Sequence, residues 1–349
     1  MKKILVATAL SQLFFLPSVG YADYQGELSI SYDRAEMSAL ETDTGRVKAA
    51  FYIDPVVTGG LPLGEASFLG RSSHVGFGYA ETTNSEFDSV KVTDASVGVE
   101  YFGKATPIYF AFDYHRLSTD IDGLDEEIDE LQAEANGSIE LNAIEELADD
   151  IDGNDQTFFT LAGGALIGDN LLVGGKWNRV SVDKYTDIDS IGPMVRYVAM
   201  FGPGFAVNLE GEYTVSRLSD SESDSDGEGS GARTSIDFYF SRQFSLGAEY
   251  RFSEIEDIEN TTAEFRAKIY FTDNLSLGAS YAMTEVEIGP NVDKDVYSIE
   301  FAYRFGVGRS LLSTPDSPKA KQGRGQTSSS EGGSLACKGK YKHLFSLCN

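Results

Sequence analysis

Asp295 to Phe305 reads DVYSIEFAYRF. Tyr297, Ile299, Phe301, Tyr303 and Phe305 fall on one parity, and Ser298, Glu300, Ala302 and Arg304 on the other. This is the period of two expected of a pleated strand. One face is therefore apolar and aromatic, while the other carries both a carboxylate and a guanidinium. A soluble sandwich strand could alternate in the same way, but its apolar face would need a second sheet to pack against. A membrane barrel inverts the arrangement, turning the apolar face to lipid and the charged face to the lumen.

The alternation recurs from Tyr24 onward in about fourteen segments. YQGELSISYDR sets Leu28, Ile30 and Tyr32 against Glu27, Ser29, Ser31 and Asp33. RVKAAFYID sets Val47, Ala49, Phe51 and Ile53 against Lys48, Ala50 and Tyr52. Short turns fall on every second connection, at Gly103 to Thr106, Ile167 to Asn170, Gly202 to Gly204, Ser241 to Gln243 and Thr272 to Asn274. The intervening connections are longer and acidic: Asp220 to Gly231, Glu254 to Asn260 and above all Thr119 to Gln156. Short turns at one rim and long loops at the other predict an all-β fold. The expected form is an up-and-down antiparallel transmembrane β-barrel of about 14 strands (about 12 to 16) over residues 23–305, with its turns in the periplasm.

Residues 1–22 begin with Lys2 and Lys3, run apolar from Ile4 to Leu16 and end in Gly20, Tyr21 and Ala22, the pattern of a secretory signal peptide cleaved before Asp23. The run is shorter than the roughly 20 apolar residues of a spanning helix. A formal charge of −27 argues against nucleic acid as a partner. From Gly306 the alternation stops, and residues 306–349 are basic, rich in Ser, Gly and Lys, and hold Cys337 and Cys348. This stretch is expected to be disordered. A shifted reading frame or lost stop codon after a natural end near Phe305 is the favoured origin. The alternative is a peptidoglycan- or partner-binding tail with a short disulfide loop.

On the parity opposite the apolar face stand Lys48, Glu100, Asp113, His115, Lys176 and Arg196. Glu210, Glu212, Asp237, Glu249, Arg251, Glu264, Arg266, Lys268, Glu300 and Arg304 follow further along the chain. Charges of both signs cannot face lipid, where Arg or Lys at the midplane costs about 2–4 kcal/mol. They either line a water-filled pore or form a salt-bridged network in a closed barrel. Fourteen or so strands enclose more space than side chains fill, since about eight already give a packed interior, which favours the pore.

The segment 119–156 has no Lys or Arg, and Leu124, Ile128, Leu131 and Ala135, then Leu141, Ile144, Leu147 and Ile151, recur at helical spacing. Two short helices joined at Gly137 could fold into the mouth as a lid whose carboxylates favour cations. The alternative is a solvated surface loop. Asp150, Asp152 and Asp155, with Asp224 and Asp226, suggest part of a calcium loop but lack the full ligand spacing. No metal site and no cofactor are expected beyond divalent cations weakly bound at these acidic loops. Asp113, His115 and Ser118 are the nearest approach to a hydrolytic set. With only three His in the chain, and His74 and His115 expected near opposite rims, no enzyme is expected.

The closing strand, with Tyr297, Ile299, Phe301, Tyr303 and Phe305 as its assembly signature, resembles the last strand of Gram-negative outer-membrane β-barrels. GLPLGEASFLGRSS, in the Pro- and Gly-rich connection that follows Asp54, resembles an N-terminal stretch of proteobacterial general porins, although it could also be an ordinary longer turn. The resemblance implies an outer-membrane porin passing small hydrophilic solutes by passive diffusion, contacting lipid and lipopolysaccharide, assembled by the barrel-assembly machinery and forming a homotrimer. A non-conducting barrel serving adhesion, surface binding or envelope integrity is the alternative. A sugar or oligosaccharide channel comes third, with Trp177 and the tyrosines as stacking surfaces. A track of aromatics down the lumen would mark it.

Overall fold

The computed structural model describes residues 23–37, 40–84, 90–121, 155–182, 186–220, 226–255, 258–287 and 291–306. Its first seven strands are β1 Tyr24–Met37, β2 Leu40–Val56, β3 His74–Asn84, β4 Val90–Phe102, β5 Ile108–Ile121, β6 Asp155–Ile167 and β7 Leu171–Val182. The rest are β8 Thr186–Gly202, β9 Phe205–Asp220, β10 Asp226–Ser241, β11 Phe244–Ile255, β12 Ile258–Thr272, β13 Leu275–Glu287 and β14 Asn291–Phe305. Each pairs antiparallel with its chain neighbours, and β14 returns to β1 to close the barrel. At the seam Leu28 stands opposite Tyr303, Ile30 opposite Phe301 and Tyr32 opposite Ile299. Closure removes the unpaired edge that an open sheet would leave in lipid.

The usual relation between hydropathy and burial is reversed. On β14 the apolar Ile299 is 58% exposed, whereas Arg304 on the opposite parity is 6% exposed. Phe240, Phe265 and Ile191 likewise stand on the outer surface. Outward apolar and inward charged side chains are what a lipid-facing barrel wall requires. No described helix is long and apolar enough to cross a membrane. The one described helix, α1, is the single turn Ala66–Leu69 between β2 and β3.

The strands are longer than the alternation indicated. β2 and β8 reach 17 residues each, against the roughly 9–11 that cross a bilayer. The surplus lies on the long-loop side, where neighbouring strands are held by polar pairs: Arg34 with Asp43 at 3.0 Å, Lys91 with Glu81 at 3.0 Å, and the Thr44 and Thr82 hydroxyls at 2.8 Å. Exposed pairs of this kind contribute about 0–1 kcal/mol each, so they set register more than stability. Two of the expected loops shrink accordingly, and the β1–β2 connection is short as well. β1 and β2 approach to within residues 38–39, β10 already starts at Asp226, and β11 and β12 leave only 256–257 between them. Beyond the bilayer both faces of a strand meet water, so the hydropathy period fades while the pairing continues. The ends of 119–156 are also strand, through Ile121 and from Asp155, and 122–154 lies outside the described residues. So do the expected signal segment 1–22 and the tail from residue 307.

Candidate functional site: the lumen and its periplasmic floor

The decisive feature is the connection between β2 and β3, residues 57–73. The other turns at this rim are minimal, at 168–170, 203–204, 242–243 and 273–274, with a somewhat longer one at 103–107. Two backbone hydrogen bonds fold the longer connection on itself, Leu61 N–H to the Thr58 carbonyl and Glu65 N–H to the Pro62 carbonyl. The turn α1 then carries it to Arg71, whose positive φ of 50° redirects the chain toward β3. The stretch is apolar enough to bury itself: Leu63 and Ala66 are 0% and Phe68 2% exposed.

It buries itself by crossing the barrel. The Glu65 carboxylate accepts hydrogen bonds from Arg196 on β8 at 2.6 Å and from the Tyr239 hydroxyl on β10 at 2.7 Å. The Leu63 N–H donates to the Arg242 carbonyl at 3.0 Å, and Arg304 on β14 donates to the Leu63 carbonyl at 3.0 Å. Arg71 reaches the Gly168 carbonyl at 2.6 Å and Asp169 at 3.2 Å. Phe68 packs edge-on against Phe102 of β4 and lies under the Arg196 guanidinium, 4.3 Å from its ring centre. In the closed order, β9 and β10 stand opposite β2 and β3. The connection thus spans the periplasmic mouth and is tied to both walls. Gly64 marks the closest approach, since a Cβ there would stand 2.6 Å from the Tyr239 hydroxyl oxygen.

Above this floor lies a cavity of about 740 Å³ whose lining includes Gly64 and Glu65. Arg46, Lys48, Arg196, Arg233, Arg251, Arg266 and Lys268 face it, as do Asp33, Glu65, Glu210, Asp237, Glu264 and Glu300. The chain is strongly acidic, yet this lining is nearly balanced in charge. A smaller cavity of about 200 Å³ adjoins it, lined by Glu100, Asp113, Lys176 and Glu212 among others and sharing Arg196, Glu210 and Arg233.

The residues expected on the inner face are largely tied to one another. Glu249, its side chain 2% exposed, is the hub: Arg233 lies at 2.8 Å, Arg266 at 3.2 Å, and Arg251 also bonds it. Arg266 additionally grips Asp237 through two bonds of 2.8 Å. Lys176 binds Glu212 at 3.0 Å, Lys268 binds Glu300 at 2.7 Å, and Arg196 also meets Glu210 at 3.3 Å. Glu264 stands 3.8 Å from Arg251. Arg304 lies between the rings of Tyr24 and Tyr270 and holds Glu27 at 2.5 Å. A salt-bridged network on this face and a cavity inside it are therefore present together. The network strengthens the wall and an interior space remains.

His74 lies 3.4 Å from Glu100, and His115 lies 3.4 Å from Asp94. Through β4, His115 aligns with Gly78, four residues along β3 from His74. The two imidazoles are therefore closer along the wall than opposite rims would put them, yet each has its own carboxylate. Asp155, considered as a calcium ligand, sits at the start of β6 and is bound by Arg116. Asp150, Asp152 and Asp224 lie outside the described residues. Trp177 faces the outer surface, in a row with Phe159 at 5.3 Å, which in turn meets Phe112 at 5.1 Å. The aromatic rings inside, Tyr24, Tyr52, Phe68, Phe102, Tyr109, Tyr239 and Tyr270, gather around the floor. Only Tyr239 and Tyr270 of them border the main cavity, so the described residues form no aromatic track along it.

A closed barrel with an apolar exterior and a charged, hollow interior defines an outer-membrane protein of the porin-like channel class. Residues 1–305 match the family described as "Putative general bacterial porin", and the chain belongs to that family of Gram-negative outer-membrane proteins. The match ends at Phe305, the last residue of β14. No curated protein sequence matches the chain. Among solved structures, the outer-membrane protein Omp33 of Acinetobacter baumannii is similar at 15% identity, covering 81% of this chain and 98% of its own, with a TM-score of 0.49. The CymD monoaromatic hydrocarbon channel is similar at 9% identity, over 82% and 90%, with a TM-score of 0.49. The KdgM porin is similar at 10% identity, over 80% and 99%, with a TM-score of 0.38.

Proposed function

We propose that the protein is a passive channel for small hydrophilic solutes, with no enzymatic role, whose periplasmic exit is controlled by residues 57–73. The observation that carries this reading is the charge-lined cavity of about 740 Å³ standing directly on that floor. The proposal extends to a preference for cations. Its source is the acidic extracellular side, above all 119–156, since the cavity lining itself is almost neutral. Lipopolysaccharide, weakly held divalent cations at the acidic loops, the barrel-assembly machinery and two further copies of the chain in a homotrimer complete the proposed partners.

Single-channel recording in a planar bilayer under a salt gradient tests the conduction reading. Steps with a cation-favouring reversal potential are expected, and deletion of residues 122–154 is expected to move that potential toward zero. A folded, heat-modifiable barrel that shows no steps, even after its floor is removed, would overturn the channel. Weight would then pass to a non-conducting barrel in adhesion, surface binding or envelope integrity, a reading that the crossing of the mouth by 57–73 favours.

A further inference from the structure

Seven Lys and Arg side chains line the main cavity, and six of them have a carboxylate within 4.0 Å. Lys48 has none. It is an exposed residue on β2, opposite Ser29 of β1 and opposite Gly78 of β3. The next pair along β2 sets Arg46 opposite Ser31 on one side and Ala80 on the other. Gly78 contributes no side chain, and a Cβ there would lie 3.7 Å from Cγ of Lys48 and 2.3 Å from the Ser96 hydroxyl oxygen. The ammonium thus rises from a hollow of small residues, with two hydroxyls beside it on the adjacent strand.

Arg46 has spare capacity too. Its contact with Asp33 is 3.7 Å, well outside the roughly 2.7–2.9 Å of a charge-assisted hydrogen bond. The nearby Glu300, opposite Ser31 across the β1–β14 seam, is occupied by Lys268 at 2.7 Å. The surplus on this part of the wall is therefore cationic and donor-rich. Lys48 has three N–H donors, Ser29 and Ser31 one hydroxyl each, and Arg46 a planar fork.

Resting on the channel reading above, we propose that Lys48, Arg46, Ser29 and Ser31 form a subsite for the oxyanion group of small solutes, carboxylate or phosphate, within the lumen. The ammonium meets the charge of the anion, and the hydroxyls and guanidinium donate to its oxygens. Net-neutral solutes that carry a carboxylate with an ammonium pass an acidic mouth without repulsion and still present the group this subsite binds.

The test uses the full chain refolded in detergent, with line broadening of isotope-labelled acetate and of inorganic phosphate as the readout, and methylammonium and glucose as probes lacking the oxyanion. Lys48→Gln is expected to keep heat-modifiable folding, because Lys48 has no ionic partner among the described residues to lose, and to weaken anion binding by roughly tenfold or more. Ser29→Ala together with Ser31→Ala is expected to weaken it by a smaller factor, and Lys48→Arg to retain most of it. Broadening by acetate assigns the site to carboxylates, and broadening by phosphate alone narrows it to phosphate. Equal binding by wild type and Lys48→Gln, or no binding by wild type, overturns the subsite. Vesicle swelling with acetate and glucose separates the two proposals. Binding without uptake of either solute, even after the floor is removed, would remove the channel and leave the subsite, whereas uptake with Lys48-independent binding would do the reverse.

Discussion

Replacing residues 59–71 by a short glycine-containing turn is expected to raise single-channel conductance several-fold. The removed stretch holds the contacts that close the periplasmic mouth: Leu63 to Arg304, Glu65 to Arg196 and Tyr239, and Phe68 to Phe102. The barrel ladder itself is untouched, since β2 and β3 pair with each other from Thr42 opposite Asn84 to Tyr52 opposite His74 and are already neighbours. A milder variant separates obstruction from disturbance of the wall. Glu65→Gln keeps the volume and one hydrogen bond to Tyr239 but removes the charge that Arg196 faces. It should give intermittent openings rather than a uniformly larger pore. Conductance in the shortened variant equal to wild type would mean that solutes already pass beside the floor, and the control assigned to 57–73 would be wrong.

Glu249→Leu is expected to be the most destabilising single change within the wall network. It would leave Arg233, Arg251 and Arg266 facing one another with no carboxylate at their centre. Breaking a buried pair by removing one partner costs about 3–5 kcal/mol. The lower end applies here, because Arg233 and Arg251 are 39% and 55% exposed at the side chain and water screens part of the repulsion. Arg266 also retains Asp237 at 2.8 Å. Arg251→Gln at the rim of the same cluster should cost less than about 1 kcal/mol. Urea midpoints of the two variants refolded into lipid vesicles measure the difference. Similar midpoints would show that Glu249 is one charge among many rather than the hub.

The barrel was legible because the lipid boundary writes itself into the chain. Ile299 and Arg304 differ in exposure as their parity requires, and a period of two survives in each stretch that crosses the bilayer. Where strands continue into water, as at Arg34 and Asp43, both faces are polar and the sequence reads as loop although the ladder persists. The inner face was legible by parity, but its pairings were not. Which charges meet depends on the register between strands far apart in the chain, as with Arg304 and Glu27. The floor was hardest to foresee. GLPLGEASFLG has no period, and nothing local says that its single carboxylate will find Arg196 across the barrel. The available sign was positional: a long stretch with buried-type residues, interrupted by one Glu, at the rim where every other connection is short.

The way the floor is tied also bears on how the molecule comes together. Glu65 meets Arg196 and Tyr239 across 131 and 174 residues of chain, and Leu63 meets Arg304 across 241. Contacts of such high order cost the most closure entropy and form late. Residues 57–73 are therefore made early but cannot complete their docking until β14 brings Arg304 to Leu63, so the last step of floor docking accompanies or follows barrel closure. Refolding should show a slow phase after the sheet has formed, and that phase should vanish in the chain that lacks 59–71. Until docking, every newly closed barrel passes through a state whose periplasmic mouth is open.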